Sequence, residues 1–180
     1  YTFIDTDGLT LTLETAVRVR SGNQSLTING NGSTLQRSDA PGTPNFRVVV
    51  IASPATGQSV VVNDLTIRNG NVVDDDQARG AGIYVSNNTD RSSRGGEVQL
   101  NRCVVTGNQI ADLPPIQGAR GGGIYSEAVR LTVADSQVTN NRVVNSVRPA
   151  ADLFAACSAG SAVCDAIRTY WYSAMGGGIY

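Results

Sequence analysis

The sequence predicts an all-β chain wound as a parallel β-helix of about five coils, and three observations carry that expectation. Four segments share one frame: LTINGNGSTL from Leu26, VVVNDLTIRNG from Val60, VQLNRCVVTGN from Val98 and LTVADSQVTNN from Leu131. A pentapeptide returns among them, as GAGIY at 80–84 and as GGGIY at 121–125 and 176–180. Charged residues make up 16% of the chain, below the roughly one quarter usual in soluble proteins. Gly, Ser, Thr and Asn stand in their place, and these are turn and ladder residues rather than helix formers.

In the last three segments apolar side chains fill the first and third positions of the frame. Leu65, Cys103 or Ser136 stands at the sixth, and Ile67, Val105 or Val138 at the eighth. That pattern is two short period-2 strands joined by a bend. Each unit closes on Asn69 and Gly70, on Gly107 and Asn108, or on Asn140 and Asn141, residue types that accept the left-handed backbone of a sharp corner. A further strand stands ahead of each unit: FRVVVIAS from Phe46, GAGIYVS from Gly80 and GGGIYS from Gly121. Like segments recur in the same order, so stacking each on its counterpart keeps the apolar positions in register, whereas a sandwich would need hairpins. The pentapeptide then acquires a role. Its glycines allow a tight corner, Ile83, Ile124 and Ile179 point into the core, and Tyr84, Tyr125 and Tyr180 point outward as a ladder. Asn108 and Asn141 are expected to form a second ladder at the closing corner.

A chain of 180 residues is expected to be a single domain, or a fragment of one, spanning 1–180. No initiating Met or signal peptide is read at Tyr1, so the start looks processed or cut, and both terminal rungs look open. The 14 basic side chains, all Arg, balance 15 acidic ones, and no basic cluster is visible along the sequence, so nucleic acid is not an expected partner. Lys and His are both missing, which removes the Schiff-base amine, the usual metal-binding imidazole and the commonest general base. No run reaches the roughly 18 apolar residues of a membrane-spanning helix.

Taken together, SLTINGNGSTL, VVVNDLTIRNG and the alternation of GGGIY with LTVADSQVTNN resemble the right-handed parallel β-helix repeats of bacterial surface and secreted proteins. Autotransporter passengers, polymorphic outer-membrane proteins and large adhesins carry such repeats. The resemblance covers most of residues 9–141 and resumes at 176. It implies a rigid extracellular or cell-surface solenoid, bacterial in origin, and leaves function open because similar coils also carry polysaccharide lyases and hydrolases.

Chemistry on a solenoid usually sits in the loops that leave its wall. Asp74, Asp75 and Asp76 could offer oxygens to Ca2+ or act as an acid and base pair, or they form a solvated acidic turn beside Arg79; their spacing lacks the alternating pattern of a calcium loop. Asp90, Arg91 and Arg94 lie in a polar loop. Pro114 and Pro115 fix an extended loop edge. The largest departure from the repeat is an insertion over 142–175, holding Cys157 and Cys164, which are spaced to staple it as a loop disulfide in an oxidising compartment, whereas Cys103 reads as a buried core residue. Tyr170, Trp171 and Tyr172 are consecutive there, and either bind a sugar or protein surface or fold back on the wall.

Three functions compete on these grounds. The first is a structural block of a surface stalk, sheath or filament, adding head to tail. The second is an adhesin segment that binds carbohydrate or a host protein through Tyr170, Trp171 and Tyr172. The third is a polysaccharide lyase or hydrolase using carboxylates among Asp74, Asp75, Asp76 and Asp90.

Overall fold

The computed structural model describes residues 7–52, 54–73, 78–86, 95–112, 119–127, 129–145 and 178–179. Read in chain order, the strands fall into successive sets, here called levels or turns, whose members pair in parallel with counterparts in the neighbouring sets. The first level holds β1 (Thr10–Leu13) and β2 (Val17–Arg20). The second holds β3 (Leu26–Arg37) and β4 (Val49–Ala52), and the third holds β5 (Ser59–Arg68), β6 (Asn71–Val73) and β7 (Ile83–Ser86). The fourth comprises β8 (Glu97–Asn101), β9 (Val104–Thr106), β10 (Gln109–Asp112) and β11 (Ile124–Glu127). The last comprises β12 (Arg130–Ala134), β13 (Gln137–Thr139) and β14 (Arg142–Asn145).

The fold is all-β, and every pairing between these strands is parallel. Three sheets result. One runs β1-β3-β5-β8-β12 with β9 and β13 alongside, the second β2-β4-β7-β11, and the third β6-β10-β14. No hairpin joins consecutive strands among the described residues, an arrangement compatible with a parallel β-helix.

Register carries like onto like, as the period-2 pattern requires. Val60 sits on Val98 and Val62 on Leu100. Ile67 sits on Val105, which sits on Val138, and Val49 lies beneath Ile83, which lies beneath Ile124. These side chains form one apolar core enclosed by the first two sheets. A smaller cluster of Val72, Ile110, Ala78, Ala81 and Ala119 lies behind the third sheet, where alanine lets the backbones come close.

That third sheet adds to the sequence reading, which assigned no strand to residues 71–73 and 109–112 and opened the insertion at Arg142. The segments NVV, QIAD and RVVN carry the alternation of a strand, with Asn71 on Gln109 and Arg142, and Val72 on Ile110 and Val143. They were hidden because three or four residues are too few to show a period without a paired neighbour. The strands of the second sheet likewise start after the glycines of the pentapeptide.

Two lines of left-handed corners run along the stack. Asn69, Gly107 and Asn140, with φ of 63°, 65° and 56°, close the units as the sequence suggests. Asp64, Arg102 and Asp135, with φ of 53°, 52° and 50°, make the bend inside each unit. Arg is an unusual occupant of this conformation, and the ion pair described below holds it there. One turn earlier, Asn31 and Gly32 take the same role, and pairing skips from Asn29 on Asn63 to Ser33 on Leu65, so two extra residues bulge out.

Leu100 is wholly buried between neighbouring turns. Leu100→Ala is expected to lower unfolding free energy by about 2–5 kcal/mol, read from urea titration followed by circular dichroism. A loss below about 1 kcal/mol would mean that the interior is not close-packed at this level.

Candidate functional site: the asparagine corner and the arginine–tyrosine face

The pentapeptide and the closing corner meet in space. Asn108 is fully buried, and its side chain joins three turns of the chain. Its Oδ1 accepts the Gly70 N–H at 2.9 Å. Its Nδ2 donates to the Ile67 carbonyl at 3.3 Å and to Asn141 Oδ1 at 2.9 Å. Asn141 Oδ1 also accepts the Asn108 backbone N–H, and Asn141 Nδ2 donates to the Val105 carbonyl at 2.9 Å. Both carboxamides therefore satisfy backbone groups that the corner withdraws from the sheets, which would otherwise be costly to bury.

This corner explains the third glycine of the repeat. A Cβ on Gly82 would stand 2.7 Å from the Gly123 carbonyl and 2.8 Å from Asn108 Nδ2, and one on Gly123 would meet Asn141 Nδ2 at 2.7 Å. The first glycine has a different reason: Gly80 and Gly121 have φ of 59° and 61°.

On the opposite face of the same strands, Tyr84 and Tyr125 stack with ring centroids 5.7 Å apart and planes 7° from parallel. The Arg47 guanidinium lies over Tyr84 at 5.0 Å and that of Arg79 over Tyr125 at 5.1 Å. Arg79 also pairs with Glu127 at 3.3 Å. Tyr84 and Tyr125 thus stack as a ladder that leaves the core, and guanidinium groups roof it, so that Tyr125 is only 4% exposed. Burial raises the Tyr125 phenol above its usual range. Ile83 and Ile124 point into the core as expected. Ile179 is aligned on Ile124 yet is 48% exposed, because no further turn among the described residues lies over it.

The outer wall of the first sheet carries a ladder that sequence reading missed. Asn63 Nδ2 donates to Asn29 Oδ1 at 2.8 Å, and Asn101 Nδ2 to Asn63 Oδ1 at 2.9 Å. Beside it Arg102 grips both oxygens of Asp64 at 2.7 Å. This hydrogen-bonded pairing holds the exposed Asp64 carboxyl below its ordinary range and raises Arg102. The recurrence of Asn at the fourth place of the frame was the available signal. Cys103 is buried and unpaired; its thiol donates to the Val62 carbonyl at 3.4 Å, and burial raises its pKa.

Several residues singled out from the sequence lie outside the described residues: Asp74, Asp75, Asp76, Asp90, Cys157, Cys164, Tyr170, Trp171, Tyr172 and Tyr180. Among the described residues there is no group of three or more His, Cys, Asp or Glu placed to hold a metal ion. No helix among them is long and apolar enough to cross a membrane. The groups that the structure does assemble hold backbone and carboxylates in place, and none of them sets a nucleophile beside a base.

Asn108→Ala would strand the Gly70 N–H and the Ile67 carbonyl, and is expected to cost about 2–6 kcal/mol as two buried groups at about 1–3 kcal/mol each, measured by chemical denaturation. The Cys103 thiol should resist a thiol-reactive dye at neutral pH in the folded protein and react at once in denaturant; fast labelling of the native chain would contradict its burial. No family model matches the chain, and no curated protein or solved structure matches it either.

Proposed function

We propose that the chain is a right-handed parallel β-helix of about five coils that serves as a structural block of an extracellular bacterial stalk, sheath or filament. The observation that carries this reading is the like-on-like register of all three parallel sheets. Core residues, the Asn29–Asn63–Asn101 ladder, the Asn108–Asn141 pair and the Tyr84–Tyr125 stack all bond along the axis of stacking rather than around a cleft. A wall built this way is stiff and can be lengthened by the rule that built it.

At the two ends of the described stack, apolar side chains are exposed. The two exposed large hydrophobic residues among those described, Leu9 and Ile179, belong to its first and last levels. A cavity of about 380 Å³ at the first end of the stack is lined by Leu11, Leu13 and Val17 of the first level and Leu26 and Ile28 of the second. Another turn of β-structure, from this chain's own continuation or from a second copy, would cover these groups and pair the free edges of β1 and β2. When the added turn comes from a second copy the contact is heterologous and propagates as a fibre. Adhesion through Tyr170, Trp171 and Tyr172, and glycan cleavage by Asp74, Asp75, Asp76 and Asp90, both rest on residues outside those described.

Electron microscopy of the purified chain at rising concentration tests the reading. Unbranched fibres with strands perpendicular to the long axis, seen as a diffraction spacing of about 4.8 Å along it, are expected. Replacing Leu9 with Asp should suppress them. Discrete particles at every concentration would refute assembly by this chain.

A further inference from the structure

We propose that the outer face of the second sheet is a binding surface for an acidic polysaccharide, a polymer of uronate sugars, held by arginines that successive turns deliver to it. The sequence separates these residues so widely that no basic cluster is visible in it; the fold corrects that reading. Arg18 and Arg20 project outward from β2, since Val17 and Val19 between them face the core. Register places Arg18 in one column with Val50, Tyr84 and Tyr125, and Arg20 in one column with Ala52, Ser86 and Glu127. Arg47 and Arg79 reach the same face from the corner ahead of it, each laid over the tyrosine of the following turn. Arg120 stands beside Arg79 at that corner. Among the described strand positions of this face, Glu127 is the one carboxylate.

The protein itself shows what this geometry recognises. Two arginines of the wall hold a carboxylate of an adjacent turn: Arg102 takes Asp64 through two bonds of 2.7 Å, and Arg79 takes Glu127 at 3.3 Å. Arg18 and Arg20 are exposed on the same kind of wall, and no carboxylate lies within ion-pair distance of either among the described residues. A planar guanidinium presents a fork that matches a carboxylate. Turns are spaced about 4.8 Å apart, close to the length of one sugar unit, so a uronate chain laid along the axis brings a carboxylate to each turn.

Charge alone would also suit nucleic acid. Single-stranded nucleic acid, however, gains much of its affinity by stacking bases on open aromatic faces. Here Tyr84 and Tyr125 cover one another and are covered in turn by Arg47 and Arg79. That leaves guanidinium groups and ring edges, which suit carboxylates and hydroxyls. The inference does not depend on fibre formation, because Arg18 and Arg20 point out of the wall rather than along the axis of stacking.

The test is isothermal titration of the monomeric protein with polygalacturonate at low ionic strength, with dextran and oligothymidylate as comparison polymers. Polygalacturonate should bind, weaken as salt is raised, and bind about tenfold or more weakly to the double variant R18Q/R20Q. The matched variant R68Q/R130Q, altered on the first sheet, should stay within about twofold of the parent. Circular dichroism and unfolding midpoints confirm that both variants fold. The proposal is overturned if polygalacturonate does not bind, if dextran binds equally, if oligothymidylate binds more tightly, or if the two variants lose affinity alike.

Discussion

Parallel register between successive turns is the constraint on which everything else in this molecule rests. A residue's hydrogen-bonding and packing partners are its own counterparts one turn away, so each column must hold a side chain compatible with itself. Branched aliphatics satisfy that condition inside, as in Val60 on Val98 and Ile83 on Ile124. Asparagine satisfies it outside, because its carboxamide both donates and accepts and so can repeat indefinitely. Charged side chains of one sign repel when stacked, and the line of inner bends alternates Asp64, Arg102 and Asp135.

Corners are the second requirement, and they divide the work between backbone and side chain. Left-handed residues turn the chain, and buried carboxamides take up the amide groups that turning leaves unpaired. Asn108 and the glycines at 70 and 82 make a single device, since the carboxamide fits only where a neighbouring Cβ is missing, and Gly123 stands in the same relation to Asn141. A substitution at Asn108, Gly70 or Gly82 disturbs the other two, so their effects will not add.

Much of this was legible in the sequence because a repeat amplifies a weak signal. Two-residue alternation over three or four positions proves little, yet the recurrence of VVVNDLTIRNG and VQLNRCVVTGN in one frame identified the strand columns and the corners at Asn69, Gly107 and Asn140. The third sheet escaped, since NVV, QIAD and RVVN are short and each runs directly into unlike residues. The arginine face escaped for another reason. Arg18, Arg47 and Arg79 are neighbours only after the chain has wound past itself, and no window along the sequence contains them. Tyr125 was placed on the correct side of its strand, but its roof of arginine could not be inferred from alternation alone.

The bulge at Asn31 and Gly32 has a consequence for how such a chain can change. Two additional residues enter the bend there, yet Leu26 still meets Val60 before it and Leu35 still meets Ile67 after it. A gain of length at that corner is expelled to solvent and leaves both flanking columns intact. Natural variation, or a peptide epitope grafted by design, can therefore accumulate at that corner while the wall behind it stays fixed. The bend at Asn31 and Gly32 acts as a mounting point on a scaffold whose flanking columns stay in register whatever length it carries.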